Sequence, residues 1–459
     1  MKEFLEPESV AIIGVSRKSG PGSLNLMENM LEYGYKGKIF PVNPKAKEIL
    51  GRKAYPNIKD IKANIDLAVI SLPRELVLDS IRDCAEAGIK AVIVVGQGFA
   101  DADEKGKVMQ DEMVLIARSF GMRILGPNTL GVINSFAHFT TSFMPLNIEK
   151  SPVGLICQSG LFFVGAERFI GGIGKGIDIG NACDIGFYDC LKWLGDDPEI
   201  KLIVLHMEGI EQGRRFMRLA SQIARKRPIL VLKTGSSETG ARAAISHSGS
   251  MAGDYQIYRA ALRQAGIIVL DESQSMKDAV KTLLYLPLME GNRVAVLTVT
   301  GAGGIIASDA IERYGLRVSE LSRETQHNIK ELFPEWMKIG NPIDLWPAVM
   351  NHGIKRAYPE VLKRVLQDPN VDGVLCIGVA MNLPEYEDLN ISEELNQVVS
   401  KDNRKPVVIW LYGPNTEEIG RRVERYKQIM TYQSIERTAW ALSLLTTPDF
   451  SSKTNKGLS

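Results

Sequence analysis

Residues 10–23 read VAIIGVSRKSGPGS. The aliphatic run 10–15 has no polar alternation, so it suits a strand buried on both faces rather than one with a wet side. Gly14, Gly20 and Gly22 then let the backbone turn where a Cβ would obstruct it. A helical pattern follows over 24–33. Strand, glycine turn and helix in that order form the opening unit of a doubly wound parallel sheet. Working outward, the same rhythm continues with expected strands at 38–42, 67–72, 91–95 and 122–126 and helices at 75–87 and 105–120. A connector is expected over 136–151. A second series has strands at 153–157, 176–179, 202–207 and 228–232, with helices at 161–170, 187–194, 214–225, 254–265 and 273–286. A third has strands at 293–299, 371–379 and 406–411, with helices at 304–314, 417–426 and 434–445. The fold class expected is therefore α/β, with three doubly wound parallel-sheet domains over 1–130, 146–289 and 291–449.

The bulk properties fit that size. The chain has 459 residues, 45% hydrophobic and 24% charged, as ordinary globular domains do. A net charge of +1 gives no general electrostatic reason to expect nucleic acid or an anionic membrane as partner. No window is apolar for long enough to span a bilayer, and the first residues lack the apolar core of a signal peptide. The five cysteines form an odd set without close paired spacing, which reads as reduced thiols in a cytoplasmic protein. No metal-ligand spacing is present.

Three stretches carry candidate chemistry. The first is 244–254, AISHSGSMAGD, in which His247 is framed by small and hydroxylated residues. An imidazole there is sterically open, and imidazole can act as nucleophile as well as acid or base. The bland alternative is a solvent-facing histidine on a loop. The other two, VGLICQSG (153–160) and VAVLTVTGAGG (294–304), share a strand, small-residue turn and helix start. A helix N-terminus offers free N–H groups and about half a positive charge, which attracts phosphate; the glycines alone could equally serve a tight turn. In the opening unit, Ser16 stands where the second glycine of G-x-G-x-x-G belongs, and Arg17 and Lys18 add charge. The second strand ends in Asn43, Pro44 and Lys45 with no carboxylate for an NAD ribose. Lys45 suits a phosphorylated ribose, which NADP and coenzyme A both carry. Phe162, Phe163 and Trp193 are candidate pocket walls, with buried core the favoured reading.

Taken together, GVSRKSGPGS (14–23), YKGKIFPVNPKAKEILG (35–51), DLAVISLP (66–73), ILGPNTLGVIN (124–134), QSG (158–160), IGNACD (179–184), EGI (208–210), ISHSGSMAGD (245–254), VTGAGG (299–304) and GNPIDL (340–345) resemble the α subunit of NDP-forming acyl-coenzyme A synthetases. The similarity is to the ADP-forming acetate–CoA ligase branch found in archaea, and more distantly to succinyl-CoA synthetase. The resemblance implies a Rossmann-like CoA-binding domain followed by two flavodoxin-like domains. It implies an acid–thiol ligase that interconverts acyl-CoA, ADP and phosphate with carboxylic acid, ATP and CoA. By that likeness His247 takes the place of the phosphohistidine and Glu208 that of its carboxylate partner. Ser159 and Gly160 match the first phosphate turn, and Gly301, Ala302, Gly303 and Gly304 resemble the second. Gly14, Ser16, Arg17, Gly22, Asn43, Lys45, Ser71, Pro73 and Asn128 fall where relatives grip CoA. The chain departs from the pattern in Leu161-Phe162-Phe163 after QSG and in the 300–305 turn. No Walker A run is present, so ADP/ATP and Mg²⁺ are expected on a separate ATP-grasp β subunit, in an α₂β₂-like hetero-oligomer. Two other readings are an NADP-dependent oxidoreductase and a non-catalytic acyl-CoA-sensing module.

Overall fold

Strand β1 (Ser9–Ile13) is buried at every residue, as its unbroken aliphatic run requires. The computed structural model describes residues 1–20, 22–146, 150–242, 254–381, 389–402 and 404–446, and the chain divides into two compact units, Met1–Lys277 and Asp278–Ser459.

In the first unit, β2 (Lys38–Val42), a short hairpin of β3 (Glu48–Ile49) and β4 (Arg52–Lys53), β5 (Leu67–Ile70), β6 (Ala91–Val94) and β7 (Arg123–Leu125) follow β1. The five-stranded sheet runs β2-β1-β5-β6-β7, parallel throughout. The chain leaves β1 towards one edge for β2 and then returns past it to β5. That reversal puts a topological switch point between the carboxyl ends of β1 and β5, where open sheets of this kind leave a crevice.

Next come β8 (Val132–Asn134), β9 (Phe139–Thr140), β10 (Val153–Cys157), β11 (Lys175–Asp178), β12 (Leu202–Met207), β13 (Ile229–Lys233) and β14 (Ile268–Leu270). They make a seven-stranded sheet, β14-β13-β12-β10-β11-β8-β9. Strands β10 to β14 are parallel; β8 and β9 extend the β11 edge antiparallel. The expected connector thus holds a strand, β9. The helix expected over 161–170 is interrupted at Gly165, which divides Gly160–Val164 from Ala166–Phe169. The switch point of this sheet lies between β10 and β12. One continuous apolar core takes in Ile12 and Leu67 of the first sheet with Ile156 and Leu205 of the second.

The second unit repeats the plan. Strands β15 (Arg293–Thr298), β16 (Arg317–Val318), β17 (Ile343–Asp344), β18 (Gly373–Val379), β19 (Val407–Tyr412) and β20 (Ile429–Tyr432) form a six-stranded sheet, β16-β15-β18-β19-β20, with β17 paired to the end of β15. All pairings are parallel. Among the described residues no helix is long and apolar enough to cross a membrane.

Candidate functional site

The switch point of the first sheet is built around Gly14. Its φ is +84°, and a Cβ there would lie 2.4 Å from the Ser71 carbonyl oxygen and 2.5 Å from Leu72 Cδ2. Only glycine lets the end of β1 pass that close to the end of β5. Asn43 closes the other side: its Nδ2 donates to the Val15 carbonyl at 3.0 Å, and its Oδ1 accepts from Lys45 N at 2.9 Å. Between them lies a cleft of about 430 Å³, lined by Gly14, Asn43, Pro44, Lys45, Leu72 and Ser80 among others, within the size range of small-molecule sites. Of the residues expected to grip CoA, the structure brings Gly14, Asn43 and Lys45 to this cleft. Ser71 stands beside it, tied to β1 through its backbone N–H on Ile13 O at 2.9 Å. Arg17, Gly22 and Pro73 are exposed, and Ser16 and Asn128 are half-buried; none of these five lines the cleft. Asn128 takes a left-handed φ of +59° and donates its backbone N–H to Gly96 O at 2.8 Å.

Two side chains that the sequence does not single out hold the glycine loop. Asn25, 2% exposed, caps the helix Leu26–Glu32 by accepting from Met27 N and Glu28 N. Its Nδ2 donates to the carbonyls of Ser16 (3.3 Å) and Lys18 (2.9 Å). The Glu28 carboxylate accepts from Gly20 N and Ser23 Oγ, each at 2.8 Å. The signal for Asn25 is its type and place, an N-cap residue just before an apolar periodic run.

At the switch point of the second sheet, Ser159 caps the helix Gly160–Val164, its Oγ accepting from Leu161 N at 3.3 Å. Its neighbour Gln158 does something the sequence does not announce. Its Oε1 accepts from the backbone N–H of Glu208 at 2.7 Å and of Gly209 at 3.1 Å. The QSG and EGI motifs are therefore one structure, and Glu208 is fixed at the carboxyl end of β12, beside the Ser159–Gly160 turn and 8% exposed. Asp178, at the end of β11, is buried and accepts from Leu130 N (2.8 Å) and Gly180 N (3.2 Å). Burial outweighs those donors and pushes its carboxyl up to about 6, with the charge of Glu208 adding to the rise. Phe162 and Phe163 are core residues at 3% and 1% exposure, whereas Leu161 is 60% exposed. Phe162 stacks on His206, ring centroids 4.2 Å apart. Trp193 is partly buried, with Lys175 Nζ 4.8 Å from its ring centroid. His247 lies outside the described residues. Its segment is bracketed by the end of β13 on one side and on the other by Asp254, whose side chain caps the helix Tyr255–Gln264.

In the second unit, residues 301–304 form the first turn of the helix Gly301–Arg313. Gly301 and Ala302 are exposed. Gly303 and Gly304 are buried; a Cβ on them would lie 3.1 Å from Ile377 Cδ1 and 3.1 Å from Pro342 Cβ. These two glycines serve close packing. A Cβ on Gly301 would lie 3.8 Å from Asp344 Oδ2, so a carboxylate stands near this helix end and its charge opposes an anion there. Among the described residues no cluster of His, Cys, Asp and Glu is arranged to hold a metal ion.

Residues 8–135 match the model of a CoA binding domain, and residues 150–283 match that of a succinyl-CoA ligase like flavodoxin domain. The α subunit of acetate–CoA ligase [ADP-forming] II from Pyrococcus furiosus is 35% identical over 95% of this chain and 95% of its own. The corresponding isoform I α subunit from the same organism is 33% identical over 97% of each. Acetate–CoA ligase [ADP-forming] II from Archaeoglobus fulgidus is 38% identical over 85% of this chain, and the match spans 59% of that longer protein. Among solved structures, an acetyl-coenzyme A synthetase 1 from Ca. Korarchaeum cryptofilum, in complex with phosphate and ADP, superposes with a TM-score of 0.86. It is 32% identical and covers 97% of this chain and 95% of that one.

Proposed function

This chain belongs to the family of ADP-forming acetate–CoA ligase α subunits, and from that premise we propose that it is the α subunit of an ADP-forming acyl-CoA synthetase, an acid–thiol ligase with a phosphohistidine at His247. The observation that supports the reading is the Gln158 clamp, which ties the backbone of Glu208 and Gly209 to the residue that precedes the Ser159–Gly160 turn at one switch point. The cleft at Gly14, Asn43 and Lys45 stands at the other switch point of the same unit.

In this scheme acyl-CoA sits in the first-sheet cleft, with Lys45 meeting a phosphate of its nucleotide end. Inorganic phosphate attacks the thioester carbonyl, the C–S bond breaks, and CoA leaves as the thiol with an acyl phosphate formed. An imidazole nitrogen of His247 then attacks phosphorus; the P–O bond to the acyl group breaks and the acid leaves as carboxylate. Glu208 accepts a hydrogen bond from the other ring nitrogen, which fixes the tautomer and stabilises the positive ring, as carboxylates do in catalytic triads. The N–H groups at the Ser159–Gly160 turn hold the phosphoryl oxygens. The phosphoryl group then passes from His247 to ADP, whose site with Mg²⁺ we place on an ATP-grasp β subunit in an α₂β₂-like assembly.

The test is co-expression with an ATP-grasp partner and an assay for ADP- and phosphate-dependent cleavage of several acyl-CoAs. His247→Asn should abolish turnover and leave the CoA Kd within about twofold. Turnover that survives His247→Asn, or stabilisation of the protein by NADPH and not by CoA, would falsify the scheme.

A further inference from the structure

Two neighbouring helices of the first unit leave an open groove on the second sheet that has no part in that scheme. The helix Gly213–Ala224 joins β12 to β13, and the helix Tyr255–Gln264 precedes β14. Both steps run the same way across the sheet, so right-handed crossovers put both helices on one face. Between them lies a groove of about 890 Å³, made apolar by Ile210, Phe216, Met217, Ile257, Tyr258 and Leu262. Ile257 is 68% exposed.

The charged side chains that line the groove are Arg214, Arg218 and Arg225; among the described residues no Asp, Glu or Lys does so. All three are exposed, and among the described residues none of them is in an ion pair. The other two arginines of this segment are engaged elsewhere. The Arg215 guanidinium lies 3.8 Å from the Tyr188 ring centroid, and Arg227 donates to the carbonyls of Leu194 and Asp197. At 3.6 residues per turn, positions 214, 218 and 225 share one side of their helix and span about 16 Å of its axis. Aromatic, Met and Arg side chains without Lys, Asp or Glu are also what the cores of protein–protein interfaces favour.

The charge row decides between occupants. A small carboxylic acid would meet one arginine and leave the others. A second copy of the same face would set arginine against arginine across a two-fold axis. The last residues of this chain, 447–459, carry Asp449 against Lys453 and Lys456, the wrong balance for a cationic row. A lipid surface would reach the arginines but not enter between the helices. An amphipathic helix with acidic flanks satisfies both the apolar walls and the row, in the manner of helix-in-groove recognition.

We propose that this groove docks an amphipathic helix of a partner protein, its apolar stripe seated between the two helices and its Asp or Glu side chains facing Arg214, Arg218 and Arg225. The docking site is independent of whether His247 carries phosphate.

The test is fluorescence anisotropy of the full chain with a labelled synthetic helix of about 14 residues, long enough to span the row, with Leu at every third or fourth position and Glu on the flanks. Binding should saturate. A matched peptide with Lys for Glu should bind at least about tenfold more weakly, and should regain affinity for the variant that combines Arg214→Glu, Arg218→Glu and Arg225→Glu. Ile257→Asp, a change at an exposed position, should abolish binding of the Glu peptide while the thermal melt stays that of wild type. Equal affinity for the two peptides, no saturable binding, or binding indifferent to both Ile257→Asp and the arginine reversals would overturn the proposal. So would arginine-dependent binding to phosphatidylserine vesicles without binding of the Glu peptide, which would assign the face to a membrane.

Discussion

His206 is an imidazole kept neutral by its surroundings. It is 3% exposed, stacked on Phe162 at an interplanar angle of 23°, with Nε2 3.3 Å from Thr234 Oγ1. Burial first, and then the charge of Lys233, lower its pKa to about 3. In the unfolded chain the imidazole takes its proton near pH ~6.5. Between those values the unfolded state binds the extra proton, so the group's contribution is intact above about 6.5 and is lost as pH falls towards about 3. Asp178 runs the other way: its folded pKa is raised to about 6, so its contribution is present below the ordinary carboxylate range and is lost as pH rises through about 6. A single pH profile mixes the two, whereas a comparison of variant with wild type at one pH isolates His206. His206→Phe keeps the ring and the stack. It should match wild type in a thermal melt at pH 7.5 and exceed it at pH 5 by about 1–2 kcal/mol. A variant that trails at both pH values would mean that the contact with Thr234 outweighs the titration. None of this was legible beforehand. No local pattern marks His206, because its neighbours are cross-strand partners and register is not written in a local pattern. Gln158, Lys233 and Asp178 escaped for the same reason. Glu208 was visible only through the resemblance, since an acid some forty residues from a histidine announces no contact.

At the scale of elements, the helix Leu26–Glu32 does more than cover the sheet. Through Asn25 it grips the loop that precedes it, taking two backbone N–H groups as a cap and giving two N–H donors to Ser16 O and Lys18 O. The two functions can be separated. Asn25→Ser retains an oxygen for the cap and drops the bonds to the loop; Asn25→Ala drops both. Asn25→Ala should cost about 1 kcal/mol of stability and Asn25→Ser much less. Both should weaken CoA binding several-fold, on the order of 1 kcal/mol, because an unpinned loop must be ordered when ligand arrives. Calorimetric titration with CoA alongside a thermal melt decides it; CoA affinity unchanged in both variants would show that the loop does not contribute to the site. The elements themselves were the most legible part of the chain, since long aliphatic runs and amphipathic stretches declare their period. What failed was short or bent. β8 and β9 (Val132–Asn134, Phe139–Thr140) are too brief for any periodicity to show. The break at Gly165 follows from packing: a Cβ there would meet Phe169 Cε2 at 2.6 Å. Gly303 and Gly304 also leave room that a Cβ would take from Ile377 and Pro342, a packing role that the sequence alone does not show.

Across the whole molecule, one winding is used three times. In chain order each large sheet runs second, first, third, fourth, fifth, with additions only at an edge or a strand end, so each has its own crevice at the carboxyl ends of its first and third strands. The CoA-site candidates sit at the first of these, Glu208 and the Ser159–Gly160 turn at the second, and residues 300–304 at the third. The apolar cores follow the division of the chain. Among the described residues, the buried cluster of Ile12, Leu67 and Ile156 reaches Ile267, with Val269 packed against it, and the buried cluster that holds Leu286 reaches Leu445, with Leu283 packed against it. Separate cores predict separate cooperative transitions. Scanning calorimetry of the full chain should therefore show more than one transition. A ligand that binds one unit stabilises that unit by mass action, about 2.7 kcal/mol at a concentration 100-fold above its Kd. CoA should then raise the midpoint of the transition that belongs to Met1–Lys277, and Gly14→Ala, which drives a Cβ into Ser71 O, should abolish that rise and leave the other transition where it was. If CoA moves the transition of the second unit instead, the cleft beside Gly14 is not its site; if every transition moves together by the same amount, the units do not unfold as separate bodies.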